Sequence, residues 1–228
     1  MTAGGVIGAT WSWSSWSGWT LSANDTCVVE RAGAEAYTKT PPGAGAYLGV
    51  SSSAVNPNYS CPAPSVVPLA DLADSGARAS FKASINALSP GGATAGHIGA
   101  AWGWYMLQPG WSFLWPQSAP EPFSADVLKV MILMTDGEFN TSYENGNMNS
   151  TTFSDVGSSG YQALQICDGI KADGNRIYSI AFMAPSSAEA MLRSCSGDDN
   201  FYDPATSSQL LGSFQDIVNK LSQLRISS

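Results

Sequence analysis

The sequence predicts an α/β fold in which a parallel sheet carries helices on both faces, and three observations lead there. Residues 127–135, VLKVMILMT, are apolar and too few to span a bilayer, so they read as a strand buried on both faces of a parallel sheet. Residues 177–183, IYSIAFM, have the same character. Between them Leu164, Cys167 and Ile170 recur at helical spacing, and strand, helix, strand in that order implies a right-handed crossover between parallel strands. A short third strand is expected at Phe201-Tyr202. About three strands are few for an open doubly wound sheet, so the sheet is expected to be incomplete.

Taken in order, residues 1–64 are rich in Ser, Gly, Trp, Pro and Ala and form one organisational unit, with 65–228 as the second. Trp11, Trp13, Trp16 and Trp19 follow neither strand nor helix period, which predicts an irregular, partly extended segment whose rings pack down on the rest of the molecule. Phe81, Ile85 and Leu88 then mark a helix that stops before Pro90. A flexible loop, Gly91 to Gly96, leads into an apolar helix from about His97 to Leu107. Residues 109–126 hold four prolines and read as a loop. After the first strand a polar stretch runs to about Ser159, and the next helix ends at Gly174. A short helix over 188–195 precedes the third strand. The closing helix carries Leu210, Phe214, Ile217, Val218, Leu221 and Leu224 as a core-facing stripe.

Composition narrows the function. With 44% hydrophobic and 12% charged residues the chain can bury a sizeable core. Its net charge of −8, with 10 scattered basic residues, leaves no footprint for nucleic acid. Cys27, Cys61, Cys167 and Cys195 are too widely spaced for a redox pair or a zinc ribbon, and one histidine adds little to a transition-metal set. Their even number and the low charge fit an oxidising, extracytoplasmic compartment. Of the three possible connectivities, Cys27–Cys61 with Cys167–Cys195 is preferred because each pair lies within one unit; four buried thiols are the alternative. No signal peptide and no segment of transmembrane length is visible, so an exported protein would be longer than this chain.

The candidate site begins at Asp136. A carboxylate at the C-terminal end of a parallel strand stands where open α/β sheets bind ligands. Gly137 is expected to let the backbone turn sharply, and Glu138 and Asn140 add oxygen ligands suited to a hard cation such as Mg²⁺. His97 has no nucleophile-elbow motif beside it, so it is expected to cap or hydrogen-bond the Gly-rich loop rather than to act in catalysis.

These residues also carry a resemblance. Thr94 in the Gly-rich loop and Asp136 in LMTDGEFN resemble the second and third ligand loops of the metal-ion-dependent adhesion site of von Willebrand factor type A domains. More narrowly, CVVER at 27–31, GATAGHIGAAWGW at 92–104, LMTDGEFNTSY at 133–143, Cys167 with Lys171, Ala181-Phe182, Cys195 and SQLRIS at 222–227 resemble the C-terminal half of TadG-like Flp/Tad pilus-assembly proteins.

The resemblance implies a partial von Willebrand type A domain: Rossmann-like, three layers α/β/α, with a parallel sheet whose first metal-loop strand is missing. In the family an Asp-x-Ser-x-Ser loop completes the shell around Mg²⁺ or another divalent cation; this chain shows no such loop, since WSWSSWS lacks an Asp. Thr94 and Asp136 are therefore the expected metal residues, with weak or no binding by this chain alone. The implied function is non-enzymatic adhesion or assembly on the periplasmic face of the inner membrane. Pilus-assembly proteins or pilin would be the partners, and any membrane contact would come through an N-terminal anchor. The alternative is a secreted, lectin-like carbohydrate-binding protein using the Trp-rich start.

Overall fold

The computed structural model describes residues 10–14, 18–22, 28–31, 33–43, 46, 48–50, 66–89, 94–144, 147–149 and 157–226. The first strands are β1 (Thr10–Ser14) and β2 (Gly18–Ser22), an antiparallel pair whose register sets Trp13 opposite Trp19. Within the Trp-rich run the described residues are therefore paired strand, more regular than expected there. Trp11 and Trp13 belong to β1 and Trp19 to β2, so no single period runs through them, and Trp16 lies outside the described residues. Whether their rings pack down lies outside the described residues. Two short strands, β3 (Val28–Val29) and β4 (Gly49–Val50), also pair antiparallel.

Helix α1 (Ser75–Asn86) begins at Asp74, whose carboxylate accepts the Ala77 N–H at 2.7 Å. Its apolar stripe is uncovered: Phe81, Ile85 and Leu88 are all exposed. Helix α2 (Gly96–Met106) follows, then strand β5 (Val130–Thr135), the short antiparallel pair β6 (Ser142–Glu144) and β7 (Asn147–Asn149), and helix α3 (Ser159–Ala172). Strand β8 (Arg176–Ala181), helix α4 (Ser186–Ser196), strand β9 (Phe201–Tyr202) and helix α5 (Ser207–Ile226) complete the chain. Among the described residues no helix is long and apolar enough to cross a membrane.

The expected sheet is present. β5, β8 and β9 lie side by side in that order, all parallel, with Val130 opposite Arg176 and Thr135 opposite Ala181. Side chains alternate between the two faces. One face sends Met131, Leu133 and Ile177 into a core with Ala100 and Trp104 of α2, Ile166, Cys167 and Ile170 of α3, and Cys195 of α4. The other sends Val130, Tyr178 and Ile180 against Leu210, Ile217 and Leu221 of α5. The result is a Rossmann-like three-layer α/β/α arrangement.

Two expectations need correction. Strand β5 is not buried on both faces: Ile132 is 42% and Met134 50% exposed, because among the described residues β5 ends the sheet and α5 lies mainly over β8. The closing stripe is likewise split, since Phe214 and Val218 of α5 are exposed while Ile217 is buried.

The predicted bridge Cys167–Cys195 joins α3 to α4 with a Cα separation of 5.3 Å, and both residues are fully buried. Cys27 and Cys61 lie outside the described residues. Described residues between 30 and 48 pack on α2, the turn after it and the end of α3. Leu48 joins Tyr105 and Trp111 in one cluster, Trp111 Nε1–H donates to Lys39 O at 2.8 Å, and Lys39 Nζ reaches Asp173 at 2.5 Å.

Candidate functional site

Strand β5 delivers Asp136 to the C-terminal edge of the sheet, where the ladder continues one bond further as Phe182 N–H donates to Thr135 O at 3.0 Å. The turn that follows is made by Thr135, whose hydroxyl donates to Gly137 O at 3.1 Å and accepts from Gly137 N–H at 3.2 Å. Gly137 does not adopt a positive φ, so the turn does not draw on glycine's left-handed freedom. The Asp136 side chain is exposed, and no described residue bonds to it.

The Gly-rich loop meets this turn directly. A Cβ built on Gly137 would lie 3.8 Å from Thr94 Oγ1. Thr94 O accepts from Asn140 N–H at 3.0 Å and from Thr141 N–H at 3.2 Å, while Thr94 N–H donates to Asn140 Oδ1 at 3.1 Å. Thr141 Oγ1–H donates to the same Asn140 oxygen at 3.0 Å. Asn140 thus fastens the loops together, and its oxygen, already taken twice, is not the cation ligand anticipated from the sequence. The Phe139 ring lies flat against Gly96: a Cβ there would sit 2.1 Å from ring carbons.

The rim is completed from β8 and α4. Ser187, in the first turn of α4, donates its hydroxyl proton to Glu138. Met183 sits in the left-handed region at φ 54° and is 70% exposed, an uncommon combination for a bulky apolar residue. Of the oxygens gathered here, the Thr94 hydroxyl and the Asp136 carboxylate fit a hard cation, and Glu138 could join them only by sharing its hydroxyl partner. Mg²⁺ asks for near-octahedral oxygen ligation, so two or three protein ligands would leave the remaining positions to water. Among the described residues no cluster of three or more His, Cys, Asp or Glu could hold an ion.

His97 occupies the opposite side of the same turn, and its role differs from expectation. Its ring bonds side chains and not the loop backbone: Nε2 lies 2.7 Å from Glu30 Oε2, and Nδ1 lies 2.8 Å from Ser159 Oγ. A carboxylate only accepts, so Nε2–H donates to Glu30; in a neutral ring Nδ1 then accepts the Ser159 hydroxyl proton. Gln162 Nε2–H adds a bond to Glu30 Oε1 at 3.3 Å. Serine, imidazole and carboxylate are thus bonded in series, with His97 1% and Ser159 2% exposed. Glu30 and Ser159 stand 67 and 62 residues from His97, and no local pattern points to either. The same carboxylate acts on Tyr37, whose phenol is pushed up mainly by burial, then by Tyr161 and Glu30.

No family model matches this chain, and no curated protein does. Among solved structures it is similar to the pilus adhesin SpaC from Lactobacillus rhamnosus GG in two crystal structures, one an open conformation, at 14% identity and TM-scores of 0.49 and 0.47. Each match covers 68% of this chain and 22% of the adhesin, so the chain spans about a fifth of that protein's length. A likeness this distant says nothing of what the chain binds, and the site stands on its own geometry: two loops bonded together at the C-terminal edge of a parallel sheet.

Proposed function

We propose that this chain is the C-terminal part of a von Willebrand type A module in a TadG-like pilus-assembly protein, acting without catalysis in adhesion or assembly at the periplasmic face of the inner membrane. The intact module would hold Mg²⁺ or another divalent cation and capture a carboxylate of a pilin or pilus-assembly partner, which would complete the coordination sphere. The observation that carries this reading is the reciprocal bonding of the Thr94 and Asp136–Asn140 loops, which gathers hydroxyl and carboxylate oxygens at one rim. A net charge of −8 supports a need for the cation, since an acidic group would otherwise be repelled.

The edge of β5 supports it further. No described strand pairs with its outer side, and Ile132 and Met134 leave apolar surface for a neighbour. An added parallel strand ending in Asp-x-Ser-x-Ser would bring its carboxylate and hydroxyls alongside Asp136. Calorimetry tests the reading. The chain alone should bind Mg²⁺ weakly, a version extended by such a strand should bind it tightly, and Asp136→Ala in the extended version should abolish binding. Tight binding by the chain alone that survives Asp136→Ala overturns the assignment.

A further inference from the structure

The turn 94–97 is held from two sides. Its outer side is bonded to the loop after β5 through Thr94 and Asn140, with Phe139 laid on Gly96. Its inner side is held by His97, in the first turn of α2, through the buried bonds to Glu30 and Ser159. Helix α2 has no side-chain N-cap, because Ala95 precedes it. The usual side-chain cap of a helix start is absent, and His97 stands three residues beyond Thr94.

We propose that His97 is a positioning residue for Thr94: the line from Glu30 through His97 to Ser159 fixes the start of α2 and thereby seats the Thr94 loop against the Asp136 loop. Three chain segments meet there. Glu30 comes from the segment after β3, His97 from α2 and Ser159 from the first residue of α3. All three side chains are buried, with Glu30 5% exposed. The segment carrying Glu30 is anchored in turn by Arg31, which is 2% exposed and donates to Thr40 O at 2.7 Å and Ala46 O at 3.0 Å. The segment before α1 is thus a working part of the site and not an appendage, which goes beyond the cation reading while resting on it for the meaning of Thr94.

His97 is the only histidine in the chain, so its ring signals are unambiguous. In side-chain ¹⁵N spectra of the full chain, Nε2 should carry the proton and Nδ1 should show an acceptor's shift. Glu30→Gln and Ser159→Ala should each change that signature. Each should also speed hydrogen exchange of the Asn140 and Thr141 amides, which donate to Thr94, by about tenfold, the worth of one hydrogen bond to a charged or buried partner. Amides of β8 should keep their protection. Unchanged exchange at Asn140 and Thr141 overturns the proposal, and so does loosening of those amides and β8 together, which would mean general destabilisation. Neither readout needs an ion. With the amides responding as expected, absence of Mn²⁺-induced broadening at Thr94 in the version extended by the Asp-x-Ser-x-Ser strand counts against the cation reading alone.

Discussion

Thr94 and Asn140 are bonded reciprocally: the Asn140 N–H donates to Thr94 O at 3.0 Å, and the Thr94 N–H donates back to Asn140 Oδ1 at 3.1 Å. The two loops of the site are therefore one unit before any ion or partner arrives. Asn140→Ala should lower unfolding free energy by about 1 kcal/mol, since the exposed Thr94 N–H can turn to water for part of its loss. Urea titration reads this as a lower midpoint at unchanged slope. Asn140→Asp, which keeps the acceptor, should lose less, and equal stability of Asn140→Ala and the parent would show that the bond contributes nothing.

Gly96 is required by the Phe139 ring. A methyl group at 2.1 Å from ring carbons forces the ring or the turn to move, so Gly96→Ala should destabilise by about 1–3 kcal/mol. Adding Phe139→Ala removes the obstacle, and the double variant should be more stable than the sum of the single effects implies. Simple additivity would mean that the cost arises elsewhere.

The Cys167–Cys195 bridge closes a separation of 28 residues between two helices on one face of the sheet. Replacing both cysteines with alanine should cost about 3–4 kcal/mol on the chain-entropy account. Peptide mapping without reductant should recover the two cysteines in one linked fragment. Free, alkylatable thiols at both positions would refute the bridge.

Lys129 offers a dependence on pH. It is buried, its ammonium donates to Leu107 O at 2.6 Å and lies 3.8 Å from the centre of the Phe123 ring. Burial pushes its pKa down from the ordinary 10.5, with Glu121 pulling the other way. Between the lowered value and 10.5 the unfolded chain holds a proton that the folded chain has shed, so the Lys129 contribution to stability rises with pH across that window. Below the window the cost of burying the charge is constant. Subtracting the stability profile of Lys129→Met from that of the parent should leave this upward slope; a flat difference up to pH 10.5 would contradict it.

The α/β/α order was legible because its signals are local. Apolar runs over 127–135 and 177–183 became β5 and β8, and the spacing of Leu164, Cys167 and Ile170 became α3. The Thr94 and Asp136 loops could be picked out for the same reason, by residue type next to a strand end. The pairing of β1 with β2 was missed because Trp11, Trp13 and Trp19 were read as one series although they lie on two antiparallel strands. The bare face of β5 was missed because composition does not say which strand of a parallel sheet is the edge.

Local pattern was enough for the order of the larger elements from α1 to α5 and for the parallel sheet, and it favoured the bridge between α3 and α4, since backbone periodicity, burial of apolar runs and short chain separation act within one stretch of residues. Tertiary structure alone decided what the polar side chains do. Asn140 became a fastener once Thr94 stood opposite it, and His97 became a buried link because Glu30 and Ser159 arrive from segments 67 and 62 residues away. A hydrogen bond needs its partner within about 3 Å, and only the folded chain brings such distant residues to that distance.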